Sequence, residues 1–170
     1  CGTSLDSLDL SLCDFERNKK VKYFKSYRIG QPLRNKINEC KNHPNRKKLF
    51  NKTDELITQF IIESLIKFIA ASNTKKIVAI GYPGITIIHN PKRKISKTLG
   101  NPAIIAKKSG LRVIADFRLT DMKHGGQGAP LAPYFHEYIS SKGKNFINFI
   151  NLGGFANLTY RSNNKLMAFD

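Results

Sequence analysis

Acidic residues are scarce in this chain. Its 170 residues carry 12 Asp and Glu against 29 Lys and Arg, a formal charge of +17. Such a deficit points first to an anionic partner, because a positive surface gathers nucleic acid or phosphate. The basic residues, however, are spread over Lys- and Asn-rich stretches (17–22, 41–52, 92–97 and 142–144) and never interleave with aromatics at RNP or zinc-finger spacing. We therefore read this charge as solvated surface and keep a basic nucleic-acid-binding module as an alternative. Cysteine is scarce too. Cys1, Cys13 and Cys40 form no CxxC pair and leave an odd count, which argues against a disulfide framework or a zinc site and fits a reducing cytoplasm. A lipid-bearing Cys1 has no signal segment to support it, and Cys1 reads as the residue at which the sequence happens to begin. No apolar run approaches the ~20 residues of a membrane span, and no repeat recurs at a fixed period. What is present, 41% hydrophobic and 24% charged residues, suits a globular chain with one core, so one domain over 1–170 is expected.

Leu8, Leu10 and Leu12 alternate with Asp9, Ser11 and Cys13, as in a half-buried strand over 8–15, and 20–27 reads as its antiparallel partner. A short helix over 33–40 ends before His43-Pro44-Asn45. Thr53-Asp54-Glu55 is placed to cap a long helix over 56–71, whose Leu56, Phe60, Ile61, Leu65 and Phe68 recur at helical spacing. Residues 76–81 read as a buried strand that ends at the turn 81–84, followed by a short run over 85–89. Asn101-Pro102 opens a helix that Gly110 stops, and 112–117 returns as a strand. Two further strands, 145–152 and 156–160, meet at Gly153-Gly154. Helices alternating with strands predict an α/β fold with a mixed sheet flanked by helices, antiparallel at its N-terminal edge.

Three segments can carry chemistry. Gly2-Thr3-Ser4-Leu5-Asp6 precedes a strand, so small residues and hydroxyls at a turn can cradle phosphate, with Asp6 or Asp9 close enough to help hold Mg²⁺ through water. An ordinary turn has the same composition. Gly153-Gly154 forms a second such turn, which is equally the tip of a plain hairpin. The richest segment, 116–133, leaves a strand with Asp116, Arg118 and Asp121 and enters Gly125-Gly126-Gln127-Gly128-Ala129-Pro130-Leu131. So many glycines make this loop conformationally expensive for an indifferent linker, and α/β folds place sites after strand C-termini. Arg118 can neutralise phosphate, fork onto sugar oxygens or pair with Asp116, while Asp121 can accept a proton. His43 reads as a turn residue. His89, His124 and His136 are too far apart in sequence for a metal motif, although His89 and His124 neighbour the site loops.

Together with Gly100-Asn101-Pro102-Ala103, Pro133, His136, Ala156-Asn157-Leu158-Thr159 and Phe169-Asp170, these segments resemble, in order and over the whole chain, the anhydro-N-acetylmuramic acid kinase family. The resemblance implies the N-terminal domain of an actin-like (ribonuclease H-like) sugar kinase, cytoplasmic, with ATP and Mg²⁺ bound in a cleft. It implies that 1,6-anhydro-N-acetylmuramic acid is opened by water and phosphorylated at O6, in peptidoglycan recycling and amino-sugar catabolism. Asp121 would match the general base. Gly2, Thr3, Ser4, Leu5, Asp6, Ser7, Leu8 and Asp9 would match a first phosphate loop, with Asp6 toward Mg²⁺, and Gly153 and Gly154 a second. Arg118, Gln127 and Thr86 would contact substrate. The family usually shows His-Gly-Gln-Thr where this sequence has Pro83-Gly84-Ile85-Thr86, which removes an imidazole and an amide. Thr98, Asn101 and Ser7 likewise replace a usual Gln, Asp and Gly. A second, nucleotide-binding C-terminal domain is expected beyond Asp170, so the expected partners include a complementing C-terminal fragment or a second copy. An inactive remnant that keeps the fold is the alternative.

Overall fold

The computed structural model describes residues 5–15, 20–74, 76–140, 146–152, 156–162 and 165–169. Two compact units divide the chain, Cys1–Phe117 and Arg118–Asp170.

The first unit begins with the expected hairpin. β1 (Ser7–Asp14) runs antiparallel to β2 (Lys20–Arg28), with Leu8 buried and Leu10 packed on the core while Asp9 and Ser11 face solvent. The Ile29 N–H donates to the Asp6 carbonyl at 2.9 Å and closes its base. α1 (Gln31–Asn42) takes Pro32 in its first turn, where a missing N–H costs nothing, and buries Ile37 and Cys40 one turn apart. His43 is its C-cap, as a turn residue should be.

α2 (Lys47–Ala71) starts a full two turns before the expected Leu56. The Thr53 hydroxyl does not cap it; buried inside the helix, it donates to the Leu49 carbonyl at 2.9 Å. Asp54 and Thr58, one turn apart, reach off the helix instead. Asp54 Oδ1 accepts from the Gly100 N–H at 2.7 Å and Thr58 Oγ1 from the Asn101 N–H at 2.9 Å.

β3 (Ile80–Gly81) is all that forms of the strand expected over 76–81, and Val78 is 70% exposed. β4 (Ile85–Asn90) pairs antiparallel with β5 (Ile95–Leu99), a strand not expected from sequence, whose first three residues close the basic run 92–97. α3 (Pro102–Ser109) has the expected signals: the Asn101 side chain accepts from the N–H groups of Ala103 and Ile104, and Gly110 ends it at φ +69°. β6 (Val113–Ile114) lies parallel to β3. Only two residue pairs sustain that ladder, which explains why Val78 upstream is bare. Leu8, Ile37, Ile57, Ile61, Leu99 and Ile105 form the centre of the core.

α4 (Phe117–Lys123), which begins on the last residue of the first unit, occupies a stretch read from sequence as strand end and loop, and α5 (Ala132–Ile139), in the second unit, begins where that loop segment ends at Pro133. β7 (Phe146–Leu152), β8 (Ala156–Ser162) and β9 (Lys165–Phe169) form an antiparallel sheet in that order. The fold class is the α/β expected, with parallel and antiparallel pairing shared among four small sheets in the described residues.

Candidate functional site

On the first unit, Gly2, Thr3 and Ser4 lie outside the described residues, as do Gly153 and Gly154 on the second. The rest of the first turn is well defined. Leu5 is 2% exposed at φ +55°, so a left-handed residue is anchored in the core and sends the chain outward at Asp6. The Asp6 carboxylate is solvent-facing and meets the Arg34 guanidinium at 3.0 Å. Asp9 Oδ1 accepts from the hydroxyls of Ser26 (2.6 Å) and Ser7 (2.8 Å), and these bonds hold its carboxyl below its ordinary value. Leu8 belongs to the core rather than to a ligand surface.

Among the described residues no three His, Cys, Asp or Glu gather into a metal cage. A phosphate-bound Mg²⁺ needs only one or two carboxylates. The accessible Asp6, beside a cation that can meet phosphate, fits that lesser role; Asp9, saturated by hydroxyls on one oxygen, fits it less well.

Thr86 sits on β4 opposite Thr98, beside an irregularity in the ladder between Thr86 and Ile88. Gly84, at φ +74°, lies so close that a Cβ there would fall 2.6 Å from the Thr98 Cβ. Ile85 is 7% exposed and belongs to the core.

The second unit brings Arg118, Asp121 and the glycine loop together. Asp121 lies in the last turn of α4, and the loop folds back over it. Its Oδ2 accepts from the Gly128 N–H at 2.7 Å, its Oδ1 from the Tyr134 hydroxyl at 3.2 Å, and its carbonyl from the Gly126 N–H at 2.9 Å. Arg118 Nη1 donates to the Gly128 carbonyl at 2.6 Å, so one residue of the loop is gripped on both sides. Gly126 permits the approach, since a Cβ there would collide with Asp121 Oδ2. Each carboxylate oxygen has one of these donors, which leaves lone pairs for a further proton donor. Gln127, at the crest of the loop, is exposed. The negative acceptor at Asp121 in turn raises the Tyr134 hydroxyl's pKa, through their hydrogen bond first and its charge second.

Tyr134 was not singled out from sequence. Its signal was there: it follows Pro133 in the first turn of α5, next to the loop. His136 was named only within the family motif. In the structure its Nδ1 lies 2.8 Å from the Thr159 hydroxyl and its ring stacks on Phe149 at 4.3 Å, which joins α5 to the sheet. His124 Nδ1 lies 2.8 Å from the Thr120 carbonyl at the end of α4. The ring nitrogens of His89 are buried without a partner, next to an equally unpaired Ser96 hydroxyl on β5.

Comparison with known proteins gives a consistent picture. The family model for anhydro-N-acetylmuramic acid kinase matches residues 1–170. Curated anhydro-N-acetylmuramic acid kinases are similar along nearly all of the chain. The Sulfurimonas denitrificans protein is 37% identical over 163 residues, 93% of this chain and 44% of its own length. The Pseudomonas putida protein is 34% identical over 169 residues, 96% and 46% respectively. For Hydrogenovibrio crunogenus the identity is 32% over 174 residues, 99% and 47%. The chain thus spans about half the length of the curated relatives it matches.

Proposed function

The chain belongs to the anhydro-N-acetylmuramic acid kinase family, and from that premise we propose that it contributes the sugar-side half of an ATP-dependent kinase. In this reading 1,6-anhydro-N-acetylmuramic acid is opened by water and leaves as the 6-phosphate, a step of peptidoglycan recycling and amino-sugar catabolism in the cytoplasm. One observation carries it. Asp121 is held at the head of the glycine loop by Gly128, Gly126 and Tyr134 with acceptor capacity to spare.

Asp121 takes the proton of a water as that water's oxygen bonds to the anomeric carbon; the anhydro C–O bond breaks and its electrons stay on O6. ATP bound with Mg²⁺ would supply the γ-phosphoryl group, whose bond to the bridging oxygen of ADP breaks as O6 takes it, so that ADP leaves. Gln127 and Thr86 would meet sugar oxygens. Arg118, bonded to the Gly128 carbonyl, holds the loop that holds the base. Of residues 2–9, those outside the core (2–4, Asp6, Ser7 and Asp9), together with 153–154, would face phosphates, with Asp6 toward Mg²⁺ and Arg34 beside it.

A second reading, a chain that keeps the fold without turnover, is favoured by Ile85. A buried aliphatic side chain stands where the family usually has an amide, so it offers substrate no hydrogen bond. An ADP-release assay with the anhydro sugar separates the two. It is run on this chain together with the half of a relative outside the matched region, and on its Asp121→Asn variant. Turnover that falls about 10²–10⁴-fold with Asn supports the base. Turnover indifferent to the substitution rejects Asp121, and none at all in a properly assembled pair supports the second reading.

A further inference from the structure

A carboxylate turns easily about its last bond. That torsion is broad and roughly two-fold in aspartate, so a single donor leaves the two oxygens free to rock. At Asp121 the oxygens are held from two directions, by the Gly128 N–H on Oδ2 at 2.7 Å and by the Tyr134 hydroxyl on Oδ1 at 3.2 Å. The first donor has anchors of its own. Gly128 is buried, its carbonyl accepts from Arg118 Nη1 at 2.6 Å, and the neighbouring Gly126 N–H bonds to the Asp121 backbone carbonyl rather than to its carboxylate. None of these contacts involves the phenol.

Tyr134 stands differently. It lies in the first turn of α5 beside the buried Pro133, so its backbone is anchored, yet its side chain is 62% exposed and gains little from burial. What the ring meets is the carboxylate. With the hydroxyl on Oδ1 and the amide on Oδ2 the plane of the carboxylate is set, and each oxygen keeps a lone pair for a further donor. A general base depends on that direction, because it must stand within hydrogen-bond reach of the proton it takes and small misplacements are costly.

We propose that Tyr134 is a positioning residue for the base: its hydroxyl fixes the rotation of the Asp121 carboxylate, so that Oδ2 stays on the Gly128 N–H and the open lone pairs keep one direction toward the attacking water. Its part in the reaction rests on the kinase reading; the fixing of the carboxylate does not.

Tyr134→Phe keeps the ring and removes the hydroxyl, and two measurements follow it. In this chain, amide hydrogen exchange at Gly128 should speed up about 2–10-fold, the worth of one hydrogen bond. Gly126, bonded to the backbone carbonyl, should keep its rate. In this chain joined to the unmatched half of the Sulfurimonas denitrificans relative, kcat with the anhydro sugar should fall about 3–10-fold at unchanged KM. An unchanged Gly128 rate overturns the proposal. So does an equal rise at Gly126 and Gly128, which would make the phenol a plain tie between α4 and α5. A rise in KM at constant kcat also overturns it, in favour of direct contact with substrate, as does an active joined protein whose kcat and KM ignore the substitution. If the joined parent never turns over while Gly128 and Gly126 respond as expected, the kinase reading falls and the fixing of the carboxylate stands.

Discussion

Asp121 receives one hydrogen bond on each carboxylate oxygen, from donors of different kinds: a backbone N–H that the loop fixes and a phenol that α5 carries. Through its bond to Tyr134, Asp121→Asn must be felt by the phenol. The variant removes the negative acceptor that keeps Tyr134 protonated, so in a spectrophotometric pH titration one of the six tyrosines should ionise at lower pH than in the parent. An unchanged titration curve would place the phenol away from the carboxylate. Gly126 offers a steric test of the same geometry. Gly126→Ala drives a methyl group into Asp121 Oδ2 and should cost about 1–3 kcal/mol in denaturant unfolding, the usual range for overpacking. Gly125→Ala meets no atom within 4 Å but is strained at φ +94°, so its cost should come from backbone alone.

At the level of elements, α2 tethers the segment between β5 and α3 through Asp54 and Thr58. Asp54→Ala leaves the buried Gly100 N–H without an acceptor and should cost about 1–3 kcal/mol, whereas Asp54→Asn keeps one. The Asn variant also carries a pH signature. Burial lifts the Asp54 carboxyl above 3.8, against the opposing Gly100 bond. The folded state thus keeps this proton to higher pH than the unfolded chain does. Stability from this group therefore declines as pH rises from 3.8 through the raised value, and is level above it. Asp54→Asn should gain on the parent over that window in unfolding midpoints measured at stepped pH. Asp9 works the other way: its contribution is present above 3.8 and fades as pH falls through its lowered value. The elements that were legible in sequence had local signals. The alternating leucines gave β1, and Asn101-Pro102 with Gly110 bracketed α3. Thr53 and Asp54 misled because cap-type side chains also serve inside a helix, one bonding back to its own backbone and the other reaching a distant one. α4 was missed because seven residues hold too few turns to display a period.

For the molecule as a whole, the site was legible as a motif but not as a set of contacts. The glycine loop announced itself by composition, yet nothing in the sequence says that Arg118 grips the Gly128 carbonyl or that Tyr134 reaches Asp121, because both depend on how the loop folds back. Charge is the property that sequence states outright, and it makes a prediction of its own. With 29 cations and 12 carboxylates, at least 17 cations cannot have a carboxylate to themselves. The three ion pairs seen among the described residues, Lys22–Asp14, Arg34–Asp6 and Lys52–Glu55, all involve partly or well exposed side chains. Such pairs contribute little, so self-repulsion outweighs attraction in the electrostatics of this chain. Added salt screens repulsion over the Debye length of about 8 Å at physiological ionic strength, and should therefore stabilise the fold. Raising salt from about 20 to about 200 mM should lift Tm by about 2–4 °C, the equivalent of on the order of 1 kcal/mol in a chain of this size. A fall in Tm would mean that specific pairs outweigh the net charge. The same screening separates solvated surface from a nucleic-acid site. Low-salt binding to any duplex should vanish across that range, because counterion release is its only driving force. Binding that survives at physiological salt and prefers one sequence would require base contacts that the scattered lysines do not provide.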